Sequence, residues 1–89
     1  MKSFTTDRFW EKYYSLPENI QKKADNVFDL WKREPYNSNL RFKKIHQGRD
    51  IYSIRIGFDY RVLGLKNQDA IIWFWIGSHS DYEKMLKDF

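Results

Sequence analysis

The chain has 89 residues, 42% hydrophobic and 19% aromatic, with a formal net charge of +4. That length has room for one core, so residues 1–89 are read as a single domain. There is no cysteine, which excludes disulfides and thiol nucleophiles; no apolar run is long enough for a membrane span, and no signal-peptide pattern opens the chain, so a soluble, cytoplasmic protein is expected.

Lys2 to Thr5 has the length of a short first strand. Thr6 or Asp7 then caps a helix carrying Phe9, Trp10, Tyr13 and Tyr14. Ser15-Leu16-Pro17-Glu18 has the spacing of a capping box with proline in the first turn. The helix it opens runs to about Arg33, because Ile20, Ala24, Val27, Phe28 and Trp31 recur on one helical face. Glu34-Pro35-Tyr36-Asn37 stops it. Trp10, Tyr13 and Trp31 are core, or line a groove for a partner.

From Leu40 the period changes to two. Leu40 and Phe42 begin a strand, and Gln47 to Asp50 turn the chain. Tyr52, Ile54 and Ile56 alternate with Ser53 and Arg55 as in a half-buried strand, and Gly57-Phe58-Asp59 is the next turn. Tyr60 to Lys66 is another strand. Ala70 to Ile76 is apolar at every position, as a central strand buried on both faces is, so Trp73, Phe74 and Trp75 are assigned to the core. Ser80-Asp81-Tyr82-Glu83 reads as a second capping box, opening a short helix through Met85 and Leu86. The order predicts an α+β fold: two N-terminal helices packed on an antiparallel meander, with a short C-terminal helix. The opposite face of the sheet is left open, and Arg55 points there if Ile54 and Ile56 face the core.

The positive charge sits in the middle of the chain. Between Arg41 and Lys66 lie Arg41, Lys43, Lys44, Arg49, Arg55, Arg61 and Lys66, against Asp50 and Asp59 alone. A basic face of this kind suits an anionic partner, nucleic acid or an acidic peptide, although cations on strands also serve simply to guard sheet edges. The usual catalytic signatures are missing. His46 and His79 lack metal-site spacing, the glycines form no phosphate loop, and no nucleophile elbow is present, so neither metal nor cofactor is expected. Cations with one histidine and nearby tyrosines suit one metal-free reaction, cleavage of RNA by its own 2′-hydroxyl. Arginine meets two oxygens of the crowded phosphorane, and histidine moves a proton near neutral pH.

Three pieces of sequence carry a family resemblance: Leu16-Pro17 at the start of the long helix, the run from Tyr52 to Leu63 containing Arg55 and Asp59-Tyr60-Arg61-Val62-Leu63, and Ile76-Gly77-Ser78-His79. Together, in this order, they resemble the RelE/ParE superfamily of bacterial toxins, which includes HigB-like and YoeB-like members. The resemblance covers essentially the whole chain. It implies that Arg55 contacts the scissile phosphate, that Arg61 stabilises the transition state, and that His79 serves on the general-base or leaving-group side. Lys43 and Lys44 would bind substrate, as would Tyr82, standing in for a tyrosine that some members use near the C-terminus. This sequence departs from the RelE pattern in the spacing of Tyr82 and in having Ser53 where a second basic residue is frequent.

The resemblance therefore implies the toxin of a type II toxin–antitoxin pair, partnered by an antitoxin. Its leading activity is metal-independent cleavage of mRNA on the ribosome, which inhibits translation. The alternatives are a ParE-like inhibitor that binds DNA gyrase and cuts nothing, and an inactive remnant that only binds an antitoxin.

Overall fold

The computed structural model describes residues 1–88. In chain order these form β1 (Lys2–Thr5), α1 (Asp7–Tyr14), α2 (Glu18–Arg33), a 3₁₀ turn at Ser38–Leu40, β2 (Lys43–Lys44), β3 (Ile51–Ile56), β4 (Tyr60–Asn67), β5 (Ala70–Ser78) and α3 (His79–Leu86). The five strands make one sheet in the order β1-β5-β4-β3-β2. Strands β2 to β5 are the expected antiparallel meander. Strand β1 adds to β5 in parallel, Lys2 beside Ala70 through Thr5 beside Trp73, so the sheet is mixed. Strand β5, apolar on both faces, is interior as its composition demands. Among the described residues no helix is long and apolar enough to cross a membrane.

Helices α1 and α2 cover one face of the sheet. Their buried Phe9, Tyr13, Ala24 and Trp31 pack on Ile54, Ile56, Val62, Ile71, Trp73 and Ile76. The centre of this core is aromatic: Trp73 meets Trp31 edge-on at 5.3 Å and Phe28 at 5.5 Å. Such contacts add roughly 0.5–1.5 kcal/mol each beyond the area they bury. Trp10 stays partly exposed and donates from Nε1 to Thr5 Oγ1, tying α1 to the edge strand.

Local signals at the helix ends differ from the sequence reading in two places. Thr6 caps α1 as expected, accepting from the Phe9 amide at 3.1 Å. Ser15, however, does not cap α2: its hydroxyl donates back to the Lys12 carbonyl and closes α1 instead. The two helices follow so closely that one serine serves the first, and Pro17 takes the N-cap of α2 without a side-chain bond. The cap of α3 is likewise Ser78, two residues ahead of the expected Ser80, and its Oγ accepts from the Asp81 amide at 3.2 Å. Helix α3 thus starts at His79, directly off strand β5.

The second face of the sheet is not open throughout, as the sequence reading had it. A smaller cluster of Ile51, Leu63 and Trp75 is roofed by Tyr82 and Met85 of α3. A bulge makes this possible: Leu63 pairs with Trp75 and Gly64 with Trp73, leaving Phe74 as an extra residue on β5. Trp73 then enters the large core while Phe74 and Trp75 both join the small one. Strand β2 is shorter than expected. Leu40 belongs to the 3₁₀ turn and is buried, Arg41 takes a left-handed conformation (φ 50°), and pairing begins only at Lys43.

Candidate functional site

Side chains in register across an antiparallel pair share a face. Arg55 on β3 is opposite Arg61 on β4, Arg61 is opposite Gly77 on β5, and Ser53 is opposite Lys43 on β2. All five positions lie on the face away from α1 and α2. With α3 beginning at the end of β5, they frame a cleft of about 280 Å³ lined by Arg41, Lys43, Ser53, Arg55, Arg61, His79 and Tyr82.

The cleft is strongly cationic. Two arginines directly opposite each other across a strand pair oppose folding, and such an arrangement persists only where the rest of the fold imposes it. Arg61 is half-buried; burial, then the neighbouring Arg55, then Arg41 press its pKa below the ordinary arginine value, while Tyr82 and Asp59 pull the other way. It nonetheless stays a cation at neutral pH. Its Nη1 donates to the carbonyls of Tyr60 at 2.8 Å and Phe58 at 3.3 Å, and no carboxylate among the described residues lies within ion-pair distance of it. The pairing with Asp59 that its sequence neighbourhood suggests is not made. Arg55 donates from Nε to the Gly57 carbonyl at 3.1 Å, with its guanidinium carbon 5.2 Å from the centre of the Phe58 ring. Both guanidinium groups are therefore aimed by backbone carbonyls and keep free edges for an anion.

His79 owes its place to the shifted cap. As the first residue of α3 it has an amide with no helical partner, and that amide donates to the Asp59 carbonyl in the β3–β4 turn. The bond fastens the start of α3 beside Arg61. One helical turn on, Glu83 reaches back, its Oε1 2.9 Å from His79 Nε2. With the carboxylate accepting there, the neutral ring carries its proton on Nε2 and leaves Nδ1 as the acceptor; Nδ1 is buried and has no hydrogen-bond partner. The Tyr82 ring lies 5.9 Å from that of His79.

The ParE-like toxin domain family matches residues 18–84. The chain belongs to that family. As a ParE-like domain it falls within the RelE/ParE superfamily, as the sequence resemblance implied. Its fold is that of solved toxins. The RelB–RelE antitoxin–toxin complex of Methanococcus jannaschii matches with a TM-score of 0.75 at 22% identity, covering 92% of this chain and 96% of that one. YafQ of E. coli matches with a TM-score of 0.73 at 7% identity, over 91% and 96% of the two chains. The YoeB/ParE toxin of Agrobacterium tumefaciens matches with a TM-score of 0.68 at 16% identity, over 89% and 99%. Identities this low speak for the fold and not for individual residues. No curated protein matches significantly.

Of the residues singled out in the sequence, this ParE-like domain brings Lys43, Arg55, Arg61, His79 and Tyr82 into one cleft. Lys44 is elsewhere: it is opposite Tyr52 on the helix-covered face and pairs with Asp50 at 3.2 Å. Adjacent residues of a strand point to opposite faces, so two neighbouring lysines cannot both enter the cleft. Sequence reasoning missed Arg41, Glu83 and the role of Ser53. Ser53 is 3% exposed, and Lys43, straight across the strand pair, carries a cation at the position where Ser53 itself has none. His46 is a turn residue whose Nδ1 accepts from the amides of Gly48 and Arg49. Among the described residues no group of acids and histidines is placed to hold a metal.

Proposed function

We propose that the chain is the toxin of a toxin–antitoxin pair and a metal-independent endoribonuclease acting on mRNA in the ribosome. The observation that carries this reading is the convergence of Arg41, Lys43, Arg55 and Arg61 beside a histidine in one cleft of a ParE-like domain. Four cations with no paired carboxylate among them suit a phosphodiester. In the reaction the RNA 2′-oxygen forms a bond to the adjacent phosphorus and the bond to the 5′-oxygen breaks, leaving a 2′,3′-cyclic phosphate and a 5′-hydroxyl. Arg55 binds the phosphate oxygens. Arg61, rigid and partly desolvated, meets the charge that grows on the phosphorane. His79, once the RNA displaces Glu83 from its Nε2, takes the 2′-proton or delivers one to the leaving oxygen. Tyr82 completes the wall beside it. Among the described residues the cleft lining holds no carboxylate to act as base, so attack relies on external positioning of the 2′-hydroxyl, which is what a ribosome-held message would supply.

The partner in this reading is an antitoxin whose acidic or amphipathic segment covers or displaces α3. The helix suits such an exchange, since among the described residues none of its side chains is fully buried, and Tyr82 and Met85 pack only partly buried on the small cluster. M. jannaschii RelE was solved with its antitoxin RelB. A pull-down from the native host should recover an acidic partner, and its binding should weaken with salt.

The deciding experiment is induced expression of the chain alone, with mRNA 5′ ends and gyrase-linked DNA breaks mapped together. New 5′ ends inside translated codons, lost in Arg61→Ala and His79→Ala, are expected. DNA breaks with intact mRNA would replace this reading with gyrase inhibition. Unrestrained growth would indicate an inactive remnant.

A further inference from the structure

We infer that the cleft continues into a second subsite, which holds one unpaired base of a single-stranded RNA against the face of Phe58. The inference rests on the RNA-cleaving reading above and names where the nucleotide beside the scissile phosphate lies. Phe58 is 82% exposed at the tip of the β3–β4 turn and belongs to neither core. A ring left this far in water contributes little to folding. The turn is built to hold it out: Gly57 has φ +59°, and nothing lies within 4 Å of where its Cβ would be, so crowding is not the reason for glycine there. The left-handed backbone is, and it sends the following residue outward.

Around Phe58 is a cavity of about 250 Å³, lined with it by Ser38, Asn39, Arg41, Arg55 and Gly57. Arg41 and Arg55 line the cationic cleft as well, so the two spaces adjoin through a pair of cations. Arg41 is held in a left-handed conformation that a residue with a side chain adopts at a cost, and that conformation places it at the junction. The Arg55 guanidinium is stacked over the Phe58 ring while donating to Gly57. The set is therefore a flat aromatic face with cations beside it and no carboxylate in its lining. That is the make-up of a platform for single strands, where bases stack on rings and the backbone tracks the charge. Ser38 and Asn39 add short polar groups that reach a base edge. Stacking accepts any base, so this subsite contributes affinity and position more than sequence choice.

The test uses the purified full chain on bacterial ribosomes programmed with a short mRNA, comparing cleavage by wild type, Phe58→Ala and Phe58→Tyr. Phe58→Ala should lose on the order of tenfold in kcat/KM, mainly through KM, and Phe58→Tyr should stay within about twofold of wild type, because one stacked base is worth roughly fivefold to 150-fold and tyrosine keeps the ring. An abasic nucleotide at one position flanking the cleaved bond should cost wild type a similar factor and Phe58→Ala nothing further. Thermal melts of all three proteins should coincide, since the side chain is exposed. If Phe58→Ala cuts as wild type does, the subsite is wrong while the nuclease reading stands. If it cuts normally but escapes inhibition by the acidic partner protein, Phe58 belongs to a protein interface and the inference is overturned. If wild type itself cuts nothing, the nuclease reading fails first and takes the subsite with it.

Discussion

Gly77→Ala tests whether the small core and the cleft are one mechanical unit. A Cβ on Gly77 would stand 2.6 Å from Cζ2 and 2.7 Å from Cη2 of Trp75. Carbon atoms in contact prefer about 3.5–4.0 Å, so the ring must retreat by roughly 1 Å. It has little room, being 4% exposed against Ile51 and Leu63 with Tyr82 and Met85 on top. Overpacking of this kind costs about 1–3 kcal/mol, and replacing glycine by alanine within a strand returns about 0.5–1. Taking the middle of each range, the net loss is about 1 kcal/mol, or a fall of about 4–8 °C in Tm for a domain of this size. The direction of the push matters more than its size. Trp75 supports Tyr82, three residues along α3 from His79, so Gly77→Ala should lower ribosome-dependent cleavage by more than about tenfold through misplacement of α3. The control is Trp75→Phe, which removes the outer ring atoms that the new methyl would strike. In that background the further cost of Gly77→Ala should shrink below about 0.5 kcal/mol, a coupling read from a double-mutant cycle of thermal or urea melts. The reasoning fails if Gly77→Ala melts with wild type, or if it costs the same with and without the tryptophan.

Two further outcomes follow from side-chain placement. Lys43→Ala should weaken cleavage on ribosomes and lessen its dependence on salt, whereas Lys44→Ala should leave both unchanged, because Lys44 belongs to an exposed pair with Asp50 worth less than about 1 kcal/mol; equal losses from the two lysines would contradict the strand register. Tyr13 donates to Asp25 at 2.7 Å, and that bond, with burial and the carboxylate charge, raises its pKa from 10.0 to about 12. The folded state holds the proton more tightly than the unfolded chain does, so this contribution is complete below pH 10 and is lost between pH 10 and 12. Tyr13→Phe should be less stable at pH 8 by about 0.5–1.5 kcal/mol. Its stability should also fall less than that of wild type on going to pH 11, as measured by urea melts at the two pH values.

The features legible in the sequence are those written in local periodicity. Ile20, Ala24 and Trp31 mark the buried face of α2, and the alternation of Ile54 and Ile56 with Arg55 sets the face that Arg55 takes. The unbroken apolar run of β5 marks an interior strand. Features set by pairing were not legible. That Lys43 is opposite Ser53 depends on a two-residue strand whose start is fixed by the left-handed Arg41, a conformation no nearby residue type announces. The parallel docking of β1 depends on where α1 returns the chain. The link between His79 and Glu83 was hidden by the choice of cap. Ser80 and Ser78 both offer a hydroxyl, but only a cap at Ser78 makes His79 the first helical residue and puts Glu83 one turn away on its side.

Several of the places where local rules break gather in one concavity. Arg41 is left-handed without being glycine, Arg55 lies across from Arg61, His79 buries an unpartnered nitrogen, and β5 has a glycine where strands favour bulk. Arg41, Arg55, Arg61 and His79 all line one cleft, and Gly77 is in register with Arg61 at its floor. Away from the cleft α2 is amphipathic, α1 is capped and the core rings meet edge-on, with Gln68 in a left-handed turn and the buried Trp31 Nε1 as exceptions. A fold that gathers several such breaks in one concavity holds that concavity in place at some expense to its own stability. The cations gathered there would be relieved by a bound polyanion, and Arg61, whose protonation the fold opposes, would gain most. In the proposed reaction the same crowding would favour a phosphate whose charge grows as the bond breaks, as catalysis by differential binding requires.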